Sequence, residues 1–310
     1  HKSFKGLEKL ERLDLDSNVI PLSPNLFSEL KQLHSLSLIF NKINEIPKDT
    51  FADLSNLMWL YLGHNDIESV NKDSFSGLSS SLTFLWLNDN KITSIETGAF
   101  SQMPELTRML RGLHKLDGLF LEGNELTSVS KNDFKGLIGL RILNLHHNQI
   151  ASIESGAFSD LSQLEQLDLR KNQLTRVASG VFNGLSNLKR LDLSDNKIAV
   201  VQSGAFAGLS ALKTLILANN KLTDVDRKDF GLTSLTILGN FCRSLFFLAL
   251  SACNKRVQHA RVKCCVLNAH AVQREINARK SVTILSAEMH APLFKLSFPA
   301  NLEISSVFQK

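Results

Sequence analysis

A pattern of leucines and one asparagine recurs between residues 10 and 220 of the chain. Its form is L-x-x-L-x-L-x-x-N, and the nine copies follow one another at spacings of 23, 24, 25, 34, 24, 24, 24 and 24 residues. One repeat is too short to enclose a core, so neighbouring repeats must stack and the chain is predicted to form a solenoid. The first leucines of the copies are Leu10, Leu33, Leu57, Leu82, Leu116, Leu140, Leu164, Leu188 and Leu212.

Each conserved position within the repeat pattern predicts a structural element. The alternating L-x-L is typical of a strand with one buried face. The asparagine is predicted to lie buried in a turn, where its amide pairs with backbone groups of its own and the neighbouring coil; one unpaired group costs about 1–3 kcal/mol. A phenylalanine column is predicted to stack as a spine on the far side of the coil. Its members are Phe27, Phe51, Phe75, Phe100, Phe134, Phe158, Phe182, Phe206 and Phe230.

The full consensus, L-x-x-L-x-L-x-x-N-x-I-x-x-I-x-x-G-A-F-x-x-L, resembles the "typical" 24-residue leucine-rich repeats. Such arrays occur in animal extracellular proteins such as Toll-like receptors, Slit-like ligands and lamprey variable lymphocyte receptors. The resemblance implies an α/β solenoid, a right-handed leucine-rich-repeat horseshoe with a concave parallel β-sheet and with turns or short helical segments outside. It also implies a protein that is extracellular or at the cell surface and binds protein ligands.

Three breaks in the pattern predict the domain organisation. Residues 4–7 read as the tail of an earlier repeat, so we expect a solenoid over 1–240 with a truncated leading repeat and nine full ones, and a chain that is incomplete at its start. The 34-residue spacing contains an insertion near 107–115, either a loop on the convex or lateral side or a mis-joined exon. Beyond residue 240, the segment 241–310 is predicted to be an irregular tail, either poorly ordered or a degenerate C-terminal cap.

The distribution of charged residues and of cysteines also changes near residue 240. Residues 1–240 hold 25 Lys and Arg against 27 Asp and Glu, whereas residues 241–310 hold 10 against 3. The net charge of +5 therefore belongs to the tail, and we expect no nucleic-acid partner for the solenoid. We expect no membrane span, because no segment is apolar enough over the roughly 20 residues that cross a bilayer, and neither a leader pattern nor an N-x-[ST] sequon can be read in the given sequence. The cysteines, whose spacing selects no pairing, are Cys242, Cys253, Cys264 and Cys265.

Aromatic residues gather in two columns that the repeat places on the concave face. The residues that flank the central strand leucine are predicted to point to solvent, because side chains alternate along a strand. Both tryptophans and the only tyrosine fall there, although aromatic residues also favour strands in general. Strands lie about 4.8 Å apart, so the rings would form one patch of the kind that makes interface hot spots. The predicted ligand-binding patch is Trp59, Tyr61, Phe84 and Trp86, with Phe40, His64 and Phe120 at the rim.

Polar side chains of both charges continue this face in later repeats. Such a surface beside an aromatic anchor suits a protein ligand with one apolar contact and a charged flank, although each charge alone is also explained by solvation. The candidate ligand-binding residues here are Asn144, His146, Asp168, Arg190 and Asp192, accompanied by His147, Arg170, Lys171 and Asp195.

No constellation in the sequence predicts catalysis. Adjacent His146 and His147 should diverge rather than share an ion, and a structural zinc normally needs four ligands. Asp168 and Asp192 form a possible carboxylate pair, but we expect an open sheet face to leave carboxyl pKa values unshifted. We therefore predict no metal, no cofactor and a non-enzymatic protein-recognition module of receptor, adhesion or innate-immune type. The alternatives are a non-catalytic or inhibitory subunit of an enzyme complex and an intracellular leucine-rich-repeat scaffold.

Overall fold

The computed structural model describes residues 4–76, 78, 81–100 and 116–223, and the backbone of 236–238, all within one compact unit. The predicted insertion at 107–115, the tail 241–310 with its cysteines, and Phe230 lie outside the described residues. The strands are β1 (Arg12–Asp14), β2 (Ser35–Ser37), β3 (Trp59–Tyr61), β4 (Ser69–Val70), β5 (Phe84–Trp86), β6 (Ser94–Ile95), β7 (Gly118–Phe120), β8 (Ser128–Val129), β9 (Ile142–Asn144), β10 (Ser152–Ile153), β11 (Gln166–Asp168), β12 (Arg176–Val177), β13 (Arg190–Asp192), β14 (Val200–Val201), β15 (Thr214–Ile216) and β16 (Thr236–Leu238).

A ten-stranded parallel sheet takes one three-residue strand from each coil, in the order β1-β2-β3-β5-β7-β9-β11-β13-β15-β16. All pairs run in register, so equivalent residues of successive repeats form columns across the sheet. For example, Trp59 pairs with Phe84, which in turn pairs with Gly118. Because β5 pairs directly with β7, the register continues across the one long repeat. These stacked parallel strands confirm the predicted solenoid.

Phenylalanine rings form a continuous spine behind the sheet. Rings of successive repeats are stacked, with centroid separations from 5.9 to 6.5 Å in the pairs measured. Phe4 extends the column, since its ring lies 5.6 Å from that of Phe27. Buried leucines fill the space between spine and sheet, so the core is shared by all coils. The described spine residues, at most 1% exposed, are Phe27, Phe51, Phe75, Phe100, Phe134, Phe158, Phe182 and Phe206.

The asparagine of eight repeats ties two coils together, as the sequence predicts, whereas the expectation of a buried, coil-linking amide is wrong for Asn18 of the first repeat. In Asn65, Nδ2 donates to two carbonyl oxygens of its own coil and to Leu38 O of the preceding coil at 2.9 Å. Its Oδ1 accepts from Ile43 N at 3.1 Å, so one buried amide satisfies backbone groups on both coils. Asn18 is exposed and, among the described residues, donates only within its own coil. The coil-to-coil pattern recurs at Asn90, Asn124, Asn148, Asn172, Asn196 and Asn220.

A left-handed residue precedes the asparagine and turns the chain away from the sheet. The φ angles in this column lie between 50° and 67°, and Gly123 is its only glycine. On the return side, the described residues form turns and two-residue strands, which pair as β4 with β6, β8 with β10 and β12 with β14. The left-handed column, at the end of the sheet strands, is Ser17, Phe40, His64, Asp89, Gly123, His147, Lys171, Asp195 and Asn219.

Candidate binding face

One face of the ten-stranded sheet lies opposite the core and is called here the open face. In β3 and β5 the central leucines, Leu60 and Leu85, are fully buried, whereas the residues on either side are only half-buried. Alternation along each strand explains this division, because neighbouring side chains point to opposite faces. The predicted patch residues Trp59, Tyr61, Phe84 and Trp86 therefore all lie on the open face.

Three rings from successive strands stack across this face. The ring of Trp86 lies 4.2 Å from that of Tyr61, at an interplanar angle of 11°, and 5.3 Å from that of Phe120, at 4°. Phe84 adds a fourth ring, 5.5 Å from Trp86. Tyr61 and Phe120 approach Trp86 from the strands on its two sides, so both faces of the indole are covered. We name Trp59, Tyr61, Phe84, Trp86 and Phe120 the aromatic cluster.

Gly118 leaves space for the cluster at the start of β7. A Cβ atom at this position would lie 2.5 Å from Phe84 Cδ1 and 2.9 Å from Phe120 Cε2, so both rings occupy the volume of the missing side chain. As a result Phe120 is only 6% exposed. The expectation that it points to solvent at the rim is therefore corrected: its ring lies on the open face but is buried by its neighbours.

Phe40 and His64 lie in the left-handed column beside the cluster. Their rings stack at 4.5 Å and 13°, and His64 Nε2 lies 3.6 Å from Asp89 Oδ2. Phe40 is 56% exposed and is the most exposed aromatic residue of the described face. The predicted rim residues thus form a second, smaller stack at the ends of the strands.

The polar part of the open face is more enclosed than the sequence predicts. Asn144 and Asp192 are 7% and 4% exposed, so the expectation that they point to solvent is wrong for both. Asp192 Oδ1 accepts from Ser194 Oγ at 2.6 Å, and its Oδ2 lies 3.1 Å from Arg190 Nη2. Asn144 Oδ1 accepts from His146 N at 3.3 Å. These short local bonds draw the side chains down onto the sheet.

Directly after the sheet strands, a half-buried polar column runs through three repeats. It consists of Glu122, His146 and Arg170, of which Glu122 was not a sequence-based candidate. Burial raises the pKa of the Glu122 carboxyl to about 7, and repulsion from Asp89 and Asp168 adds to this effect. Burial, followed by the neighbouring Arg170 charge, lowers the pKa of His146 to about 4. Glu122 could have been identified as a candidate from the sequence, since it occupies the same position of the repeat as His146.

Asp168 also departs from the expected behaviour of an exposed sheet face. Burial raises the pKa of its carboxyl to about 6, against the partial opposing effect of a bond from Arg170 N. The expectation that an open face leaves carboxyl pKa values unshifted is therefore wrong. The reason is that neighbouring side chains of a continuous sheet exclude water from one another much as a cleft does.

The described residues contain no group of three His, Cys, Asp or Glu side chains placed to hold a metal ion. His146 is half-buried on the sheet side, whereas His147 is exposed in the left-handed column with a φ of 56°, so the adjacent histidines diverge. Within the same part of the chain, no helix has the length and apolar character needed to cross a bilayer.

Stacked parallel strands, an asparagine ladder and a continuous phenylalanine spine define this molecule as a solenoid repeat protein. A family model described as leucine rich repeat matches residues 31–85, 107–150, 138–198 and 186–239. Together the matches cover more than half of the sequence, and the chain belongs to the leucine-rich-repeat family.

Solved structures of two proteins illustrate the similarity. TLR13, in a crystal structure of its complex with ssRNA13, is 28% identical with a TM-score of 0.60, over 69% of this chain and 30% of that one. An internalin (InlF) from Listeria monocytogenes is 27% identical with a TM-score of 0.56, over 76% of this chain and 62% of that one. The chain thus spans less than two thirds of either protein. No curated protein sequence matches it significantly.

Proposed function

We propose that this protein is a recognition module that binds a protein ligand on the open face, with the aromatic cluster as anchor. The observation that carries the proposal is the stack of Tyr61, Trp86 and Phe120 across three strands. Large rings held by their neighbours lose little conformational freedom when a ligand docks, and such residues dominate interface energetics. The rigid parallel sheet beneath them adds to this preorganisation.

The polar flank supports a protein ligand rather than a nucleic acid. The similar TLR13 structure is a complex with ssRNA13, but a single-stranded nucleic acid needs free ring faces and a basic groove. In this chain the two faces of Trp86 are covered by rings. The polar column that begins at Glu122, in the coil of Phe120, has Asp89 and Asp168 among its charged neighbours. Ring edges bordered by carboxylates suit a polypeptide surface better.

We further propose that the protein works outside the cell or at its surface, as a receptor, adhesion or innate-immune component. The 24-residue spacing and the similarity to TLR13 and an internalin support this assignment. Antibody labelling of intact, non-permeabilised cells that express the native gene tests it. Signal on intact cells or in the medium is expected, whereas signal only after permeabilisation would contradict the assignment.

Peptide selection tests the binding site with ligands drawn from random sequences. A phage library of random 12-residue peptides is selected on the wild-type protein, and each enriched peptide is measured against two double variants. Trp59→Ala with Trp86→Ala removes the anchor. Thr214→Ala with Ile216→Ala changes the same two columns at the far end of the sheet and serves as the matched control.

A hot-spot residue contributes about 2 kcal/mol or more, which corresponds to about a 30-fold change in Kd. We therefore expect the tryptophan double variant to weaken binding by at least that factor and the control to change it less than about twofold. Enriched peptides that bind both variants equally well would place recognition elsewhere. The proposal would then be wrong.

A further inference from the structure

Three consecutive repeats each present one buried polar atom without a hydrogen-bond partner. Among the described residues, four buried side-chain atoms make no hydrogen bond: Glu122 Oε2, His146 Nδ1 and Arg170 Nε, and, away from these three, His34 Nδ1 just before β2. Arg170 Nε lies 3.2 Å from Asp168 Oδ2, near enough for an ion pair, but the geometry does not make a hydrogen bond. All three atoms belong to the column directly after the sheet strands, on the same side as the aromatic cluster. Buried polar groups without partners are costly, which makes three in adjacent repeats unusual.

The same column is satisfied in other repeats of the sheet. Asp16 Oδ1 accepts from Ile39 N at 2.8 Å, Asn88 Nδ2 donates to Asp89 Oδ2 at 2.8 Å, and Ser194 Oγ donates to Asp192 Oδ1 at 2.6 Å. The lack of partners is therefore a property of Glu122, His146 and Arg170 rather than of the repeat position. The three residues belong to consecutive coils, and the first of these coils also contains Phe120, the last residue of the aromatic cluster. The polar column therefore begins where the aromatic cluster ends.

Carboxylates surround the Glu122 end of this column. Repulsion from Asp89, in the preceding coil, and from Asp168, two coils further on, acts on the Glu122 carboxyl, and Arg170 is the cation that opposes it. Gly123 contributes to the arrangement, because a Cβ atom at that position would collide with Asp89 Oδ1. The only glycine of the left-handed column thus leaves room for the Asp89 carboxylate beside the residue that follows Glu122. Of the charged groups that act on the Glu122 carboxyl, two are carboxylates and one is a cation, and that cation, Arg170, is paired with Asp168. A further cation would therefore offset the repulsion at Glu122.

We propose that Glu122, flanked by Asp89 and Asp168, receives a cationic side chain, lysine or arginine, of the protein ligand that docks on the aromatic cluster. This inference rests on the proposed function and names the chemistry of the ligand. An ammonium or guanidinium group donates the hydrogen bond that Glu122 Oε2 lacks and offsets the mutual repulsion of the carboxylates. The apolar stem of the same side chain lies against the neighbouring ring edges.

Proton linkage gives the site a measurable signature. A bound cation favours the ionised carboxyl, so binding requires Glu122 to lose its proton, and the pKa of about 7 places this loss near neutrality. The charged groups that face Glu122 are Asp89, Asp168 and Arg170, and His146 of the next coil stays neutral above its pKa of about 4. Affinity should therefore fall as the pH drops, by about 30-fold between pH 8 and pH 5.5 for one carboxyl of this pKa.

The experiment uses peptides selected from the same phage library on the wild-type protein at pH 8. We expect the enriched sequences to contain lysine or arginine next to an apolar residue. Kd is then measured at pH 8 and pH 5.5 for the wild type and for Glu122→Gln, with Glu125→Gln as a control at an exposed position of the same coil. Each peptide is also synthesised with citrulline in place of arginine, or norleucine in place of lysine.

The inference expects at least a tenfold loss of affinity at pH 8 for Glu122→Gln and for the neutral peptide. In that variant the pH response should shrink from about 30-fold to the roughly fourfold change that Asp168, with its pKa of about 6, contributes. Enriched acidic peptides would overturn this inference, and so would a cationic peptide whose Kd is unaffected by Glu122→Gln. The proposed function would still stand in either case if Trp59→Ala with Trp86→Ala abolishes binding. Binding that survives the tryptophan changes contradicts the proposed function itself. A selection that enriches no binder for the wild type counts against both.

Discussion

Tyr61 and Trp86 occupy the same position in successive repeats, and their rings stack with centroids 4.2 Å apart and planes 11° apart. The parallel register of β3 and β5 brings the two residues side by side. Stacked rings of this kind are worth about 0.5–1.5 kcal/mol beyond the area they bury. The stack therefore stabilises the fold and leaves a preformed apolar edge on the open face, where a ligand can dock without first ordering it.

Gly118→Val should disrupt this edge although it replaces no aromatic residue. The new side chain would meet Phe84 Cδ1 at 2.5 Å and Phe120 Cε2 at 2.9 Å, so both rings must move. We expect a loss of about 1–3 kcal/mol in the free energy of unfolding, typical of overpacking, together with at least a tenfold weaker affinity for selected peptides. Thr214→Val, in the same column of β15, is the control. Equal effects of the two changes would show that the space at Gly118 is irrelevant.

Asn148→Ala should destabilise the solenoid strongly. Its Nδ2 donates to three carbonyl oxygens, including Leu121 O of the preceding coil at 2.9 Å, and its Oδ1 accepts from Leu126 N at 3.1 Å. The variant leaves these buried backbone groups unpaired, and we expect it to lose about 3 kcal/mol or more in urea unfolding. The exposed Asn18 bonds only within its own coil in the described structure, so Asn18→Ala should cost less than about 1 kcal/mol. A similar cost for both would contradict the role of the ladder.

Glu122→Gln should make the protein more stable at pH 8. The folded-state pKa of about 7 lies above the ordinary value of 4.5, so between these values the folded protein holds more protons than the unfolded chain. The free energy of unfolding therefore falls as the pH rises through this window, and the ionised carboxyl costs on the order of 3 kcal/mol above it. Urea unfolding should show the variant more stable by about 2–3 kcal/mol at pH 8 and equal to the wild type near pH 4.5.

The exposed Glu125 serves as the control for this change. Glu125→Gln should leave the wild-type pH dependence of stability intact, because its carboxyl lies in solvent in the same coil. If Glu122→Gln gave no gain at pH 8, the carboxyl of Glu122 would be solvated and the buried acidic site would not exist.

The columns of the fold could be predicted from the sequence because the same leucine and asparagine pattern recurs in every coil. Aligning the copies places equivalent residues on neighbouring strands even where the spacing departs from 24 residues, so the pairing of Trp59 with Phe84 and of Tyr61 with Trp86 follows from the sequence. The asparagine ladder and the phenylalanine spine follow for the same reason, since each depends only on repeat position.

The exposed fraction of each side chain within a column could not be predicted in the same way, because it depends on which neighbouring side chains cover that residue. Phe120 is covered because Gly118 has no side chain, and Asp192 is drawn down by Ser194 and Arg190. The raised pKa of Glu122 likewise results from the combined shielding of adjacent coils. Repeat position specifies the face of a residue, but the local set of side chains decides how much water reaches it.

Tryptophan fluorescence tests the central claim most directly, because Trp59 and Trp86 are the only tryptophans in the chain and both lie in the aromatic cluster. A selected peptide that lacks tryptophan is added to saturation, and emission and quenching by acrylamide are recorded. If the ligand docks on the cluster, the emission maximum should shift to shorter wavelength and the quenching constant should fall about twofold or more, in line with rings that leave water. A saturated complex with unchanged emission and unchanged quenching would mean that the ligand binds elsewhere.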